Sequence, residues 1–271
     1  QLLADTSDPV ATQVVTALIQ QLSGRILAEQ AREQIETVLS LSGQPQAAES
    51  AARLTRPVEV EVVDLFAADK ASPVVSMYAA GIAVMFLLFG AVGGAGSLIE
   101  EEENQTMERL MCSQLGMARL LAGKWLLLWI VGVVQVTVMF LWAQLAFGVD
   151  LLGHLPGFAV MTVATAGAAS SFALVLAALC RSRAQLNAVA VIVILSMSAL
   201  GGSMVPRYVM SETMQRFGKI TFNAWALDGY TKVFWRDLPV RDLLPEVAVL
   251  VGITLALFGT ARLLARRWES E

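Results

Sequence analysis

A chain of 271 residues that is 56% hydrophobic and only 15% charged lies far outside soluble composition and defines an integral membrane protein. Its formal charge of −4 comes with no concentrated basic face, which excludes nucleic acid as a partner. One histidine and two cysteines cannot make a protein-only zinc site of known spacing, and Cys112 and Cys180 fall in stretches read as cytoplasmic, where thiols stay reduced.

The chain opens on Gln1 with no signal-peptide pattern, so an upstream part is expected. Residues 1–71 are soluble in character and are assigned to an extracytoplasmic domain. Asp8-Pro9 is a helix start, and Val14, Leu18, Leu22 and Ile26 give an apolar face on a helix running to about Leu41. Gly43, Gln44 and Pro45 break it, and Val58, Val60 and Val62 alternate with Glu59 and Glu61 as a half-buried strand does. The fragment reads as a small α/β element outside the bilayer.

Residues 72–271 read as a transmembrane domain. Residues 71–99 and 125–149 carry no charge, and each run exceeds the roughly 20 residues that cross a hydrocarbon core. Five spans are predicted, at about 72–99, 125–149, 155–180, 184–206 and 243–263, making an all-α polytopic protein. Gly90 and Gly94 give the first span small-xxx-small spacing, as in ordinary helix packing or a dimer contact. Between the first two spans, the loop 100–124 holds Glu100–Glu103 and a Met/Leu stripe of Met107, Leu110, Met111, Met117 and Leu121, the pattern of a surface helix docking on a partner. Residues 207–242, rich in aromatics, are predicted as short helices lying at or dipping into the outer interface, with Pro206 ending the fourth span.

Short-loop charge sets the orientation. Arg181 and Arg183 occupy a very short turn, Arg262, Arg266 and Arg267 follow the last span, and 150–154 has no Lys or Arg. The acidic loop and the C-terminus are therefore expected inside and the N-terminal region outside. The segment 207–242, with six Lys/Arg against four acids, runs against the rule but is long.

Catalytic constellations do not emerge. Gly123-Lys124 lacks the upstream glycine and following Ser/Thr of a phosphate loop, and Lys124 is expected to snorkel at the membrane edge. Asn104-Gln105-Thr106 matches a glycosylation acceptor on the wrong side of the membrane. His154 reads as a solvated turn residue and Glu246 as an interface residue or, less simply, a transport carboxylate. The spans hold neutral polarity instead, whose usual role is interhelical hydrogen bonding. Asn187 and Ser196, with the adaptable thioethers of Met197 and Met204, are the candidates for a substrate path. A path without fixed charges needs an outside energy source, which points to a partner docked on the acidic loop.

The run Glu101, Glu103, Thr106, Glu108, Leu110 and then Gly123-Lys124 resembles the cytoplasmic loop of type-2 ATP-binding-cassette exporter permeases, acid-x-acid-x-Gly-Thr-x-Glu-x-Leu followed by Gly-Lys. Gly201-Gly202, Pro206, Met210, Met214 and Asn223-Ala-Trp225-Ala-Leu227 look like that family's outer end of the fifth helix and its short external helices, and Asp5 to Pro9 like its external domain. Two positions depart from the pattern: Gln105 stands for the family's glycine and Gln114 for its proline. The family has six spans, so one is expected upstream of Gln1.

The resemblance implies a permease subunit of an exporter in a bacterial plasma membrane, paired with a second copy or a sister subunit and with cytoplasmic ATPase subunits. ATP and Mg would sit on those partners, with no cofactor bound directly here. Coupling contacts would come from Glu101, Glu103, Thr106, Met107, Glu108, Leu110 and Met111. The path would run between two permeases along the first and fourth visible spans, with an outer gate at Pro206, Asn223 and Trp225. A secondary transporter or channel not coupled to ATP, or a membrane-anchored sensor, stands as the alternative. Drugs, lipids, peptides, polysaccharide or ions all fit neutral spans.

Overall fold

A computed structural model describes residues 2–4, 62–64, 73–104, 116–205, 207 and 210–265. The helix expected up to Leu41, the strand positions Val58 and Val60, and the candidates Thr106, Met107, Glu108, Leu110, Met111 and Pro206 lie outside them. The chain divides into two compact units, Gln1–Asp69 and Lys70–Glu271. In the first, β1 (Leu2–Ala4) pairs in parallel with β2 (Val62–Asp64), Leu2 opposite Val62 and Ala4 opposite Asp64.

The second unit is helical. In chain order it holds α1 (Pro73–Ala95), α2 (Ser97–Glu103), α3 (Met117–Phe147), α4 (Leu155–Leu179), α5 (Arg183–Gly201), α6 (Glu212–Gly218), α7 (Phe222–Phe234), a 3₁₀ turn at Val240–Leu243 and α8 (Leu244–Leu264). Five stretches are long and apolar enough to cross a membrane: Val75–Glu103, Met117–Phe147, Leu155–Leu179, Arg183–Gly201 and Val240–Leu264. In hydrocarbon every backbone group must be satisfied internally, which is why uncharged runs of this length become helices.

Local chemistry sets the ends. Gly148 closes α3 in the left-handed conformation at φ 70°, where a side chain would be strained. Pro156 and Pro245 stand in the first turns of α4 and α8, where a missing N–H costs nothing. Between α4 and α5 the turn is locked from both directions. Ser182 Oγ accepts the Gln185 N–H at 3.2 Å, and Gln185 Oε1 accepts the Arg181 N–H at 2.9 Å.

α4 is the centre of the bundle, with 72% of its span buried against 28% for α5. Its Ala, Gly, Ser and Thr residues let α1, α3, α7 and α8 approach closely, and in lipid such contact supplies most of the association energy. α5 packs on α1, α6 and α7 and only lightly on α4. Gly90 serves packing within the chain: a Cβ there would strike Gln135, whose Nε2 donates to the Phe86 carbonyl at 2.9 Å. Gly94 lies equally close to Leu128 of α3.

Two boundaries differ from the sequence reading. The first span continues as helix through α2 to Glu103, and α3 begins at Met117, eight residues before the apolar run that announces it. Met117 and Leu121, assigned by periodicity to a docking stripe, are instead buried in the bundle on the first turns of α3. The short helices expected within 207–242 are α6 and α7. Phe222, Tyr230 and Phe234 do not line an interface but turn into the core, where Phe140 of α3 lies 5.3 Å from Tyr230 and 5.1 Å from Phe234 between ring centroids. Phe217 alone of the described aromatics on α6 and α7 is fully exposed.

Candidate functional site

The acidic stretch begins on α2, a seven-residue helix separated from α1 by Gly96 alone, which itself keeps helical backbone angles. It is gripped from two sides. On one side Lys124 Nζ, on the second turn of α3, lies 2.5 Å from Glu101 Oε1 and donates to Ser97 Oγ at 3.1 Å. On the other, Arg183 at the start of α5 places Nε 2.9 Å from Glu100 Oε1 and donates from Nη1 to the Gly93 carbonyl at 2.9 Å. Gly96 makes room for that guanidinium, since a Cβ would overlap it. Arg183 therefore spans the junction between α1 and α2. The planar fork of arginine suits this double reach, where a lysine would have one point of charge.

These pairs are partly open to solvent. Arg183 and Glu100 keep 40% and 48% of their side-chain exposure, and Lys124 and Glu101 keep 18% and 24%. Pairs of that kind contribute about 0.2–1 kcal/mol each. They fix geometry without freezing it.

The candidate contacts thus divide. Glu101, expected to face a partner, is held inside the chain by Lys124, and Lys124 is an ion-pair member where a snorkelling residue was expected. Glu103, at the end of α2, is exposed and available to a partner. Sequence reasoning missed Glu100, Lys124 and Arg183 as a group. The signal for Arg183 was present in the two arginines of the 181–183 turn but was spent on orientation.

On α5, Asn187 and Ser196 are exposed and bracket an exposed apolar stripe of Val191, Ile192 and Leu195. Opposite that stripe, Leu186, Ala190 and Ile194 face the bundle, with Met197 half buried against it. Met204, past the helix end, is 50% exposed. The open face is neutral throughout.

At the far end of the bundle, α7 is tied down by charge. Lys232 Nζ lies 2.8 Å from Glu246 Oε1 of α8 and donates to the Asp242 carbonyl at 2.9 Å, which makes Glu246 a buried structural partner where an interface residue was expected. Arg207 Nη1 lies 2.5 Å from Asp228 Oδ2. His154, read as solvated, is largely enclosed: Nδ1 donates to the Asp150 carbonyl at 2.7 Å and Nε2 lies 2.5 Å from Asp237 Oδ1. The gate candidate Asn223 is fully buried. Its Nδ2 is 3.5 Å from both Ser198 Oγ and Ser203 Oγ, and Oδ1 has no partner among the described residues. Trp225 is half buried and donates from Nε1 to the Lys219 carbonyl at 2.8 Å.

A helical bundle with five stretches long and apolar enough to cross a bilayer, an open polar-edged helix and ion pairs at its ends defines a polytopic membrane protein. Residues 1–263 match the family model described as ABC-2 family transporter protein, and the chain belongs to that family. It is also similar to the linearmycin resistance permease protein LnrN of Bacillus subtilis (strain 168), with 23% identity over 181 residues. That match covers 67% of this chain and 47% of the relative, so the chain's match spans about half of the relative's length.

Proposed function

We propose that the chain is the membrane-spanning subunit of an ATP-driven exporter, working with cytoplasmic ATPase subunits that carry ATP and Mg and with a second copy or sister permease. The observation that carries this reading is the open face of α5, a neutral stripe of Val191, Ile192 and Leu195 edged by Asn187 and Ser196, which no helix of this chain covers among the described residues. A second permease opposite that face would enclose a path fit for a bulky, largely apolar compound. With no fixed charge on the path, direction must come from the partner's hydrolysis cycle, transmitted through the acidic stretch.

In this reading the end of the bundle bearing Glu100–Glu103, Arg181 and Arg183 is cytoplasmic, in keeping with the arginine-bearing short turn. The 150–154 turn and α7 lie outside. Glu103, with Thr106, Met107, Glu108, Leu110 and Met111 beyond it, supplies the docking contacts. Asn223, buried with an unanswered Oδ1, and the left-handed Gly202 beside α7 form the outer gate with Trp225 and Pro206.

The relative's role in linearmycin resistance favours export of a toxic compound here. Co-expression with an ATPase subunit tests the reading: the two should co-purify, and cells carrying both should survive higher linearmycin than cells in which the ATPase is inactivated. Transport or resistance that persists unchanged without a functional ATPase would refute it.

A further inference from the structure

The junction of α1 and α2 at Gly96 is where three spans meet through side chains. α2 leads directly into the acidic stretch, and its carboxylates hold α3 through Lys124 and α5 through Arg183. The two grips differ in what they move. Lys124 lies on the second turn of α3, a 31-residue helix that packs along both α1 and the central α4, so displacement there meets contacts with two spans. Arg183 is the first residue of α5, and the doubly capped turn at Ser182 and Gln185 makes that residue continuous with the helix it starts. α5 itself is lightly packed against the central α4.

A shift of α2 therefore has a short, stiff connection to α5, a span whose open face carries the polar edges Asn187 and Ser196. We propose that Arg183 is the positioning residue that carries movement of the acidic stretch into α5, with Glu100 as its grip on α2 and the Gly93 carbonyl as its grip on α1. This rests on the reading of the chain as an ATP-driven permease. The double attachment matters because it spans the α1–α2 junction: rotating α2 against α1 would stretch one Arg183 contact relative to the other. Gly96 is the gap that admits the guanidinium. Partial exposure keeps both contacts breakable, as a device with two arrangements requires.

The test uses the full-length permease reconstituted with its ATPase subunit, an environment-sensitive fluorophore on a cysteine at Ile192, which is 68% exposed, and ATP trapping as the stimulus. In the wild-type background the Ile192 signal should change on trapping. Arg183→Gln and Glu100→Gln should each reduce that change by about fivefold or more, the scale of a typical coupling free energy, while ATP hydrolysis persists. The swap pairing Glu100→Arg with Arg183→Glu should recover a response above either single variant, which a loss of folding would not do. A full Ile192 response in both single variants, or a swap no better than either, overturns the proposal. A wild-type complex that exports with ATP yet leaves the Ile192 signal still overturns the joint and spares the permease reading. A chain that binds no ATPase subunit overturns both.

Discussion

α4 and α5 are neighbours in sequence, separated by a short turn, yet they are built for different tasks. α4 uses Ala166, Gly167, Ala168, Ala169, Ser170 and Ser171 in succession, so neighbouring helices can approach it closely and this stretch is buried throughout. Its polar groups are consumed in structure: Thr162 Oγ1 and Tyr230 OH are 3.1 Å apart, and Ser171 Oγ accepts the Trp125 indole N–H at 2.9 Å. α5 spends only one face on packing and leaves Asn187 and Ser196 with no hydrogen bond to the described residues that would occupy them. The contrast teaches that neutral polarity in a span is a scaffold when buried on all sides and a surface for a partner or a path when it sits on an open face.

Removing packing from α4 should have the largest effect. Phe158→Ala opens a hole beside Phe140, Tyr230 and Phe234, and since lipid removes most of the transfer term while the cavity remains, a loss of about 2–3 kcal/mol is expected in detergent unfolding. Overfilling comes next: Ala173→Leu on buried α4 should cost about 1–2 kcal/mol, whereas Ala188→Leu on the exposed face of α5 should change stability by less than about 0.5 kcal/mol. Equal losses at the two alanines would erase the distinction between the helices. Ser171→Ala leaves Trp125 with only the Gly167 carbonyl at 3.3 Å, and about 0.6 kcal/mol is expected, near the mean for hydrogen bonds between membrane helices. Smallest is Ile192→Ala, with stability of the isolated chain within about 0.5 kcal/mol of wild type but weaker association with a second permease in cross-linking. Unchanged association there would argue that α5 faces lipid.

How much of this was legible in the residues varies with the physics. Long uncharged runs announced the first four spans, and a shorter one, 247–261, extended past Glu246 and Arg262, announced the fifth, because length and apolarity are what a bilayer selects. The start of α3 was not legible, since hydropathy marks the uncharged run alone and the helix extends N-terminally past Lys124 and Arg119 to Met117. Without that extra length, Lys124 could not be placed opposite Glu101, 23 residues away in sequence. The inward packing of the α7 rings was not legible either: composition is the same for a ring at an interface and a ring in a core, and only the packing of α7 against Phe140 and Phe158 shows which rings turn inward. Asn187 and Ser196 were found from polarity alone, but their position at the edges of an open stripe needed the bundle.

The central claim is that α4 stays fixed while α5 moves when the acidic stretch is displaced. Pulsed electron–electron distances measured in the assembled transporter test it most directly, with spin labels at exposed Val163 on α4, Ile192 on α5 and Val138 on α3, and labelled copies diluted by unlabelled ones. ATP trapping should shift the Val163 to Ile192 distance and leave Val138 to Val163 unchanged. A constant Val163 to Ile192 distance, or equal shifts in both pairs, would contradict the account.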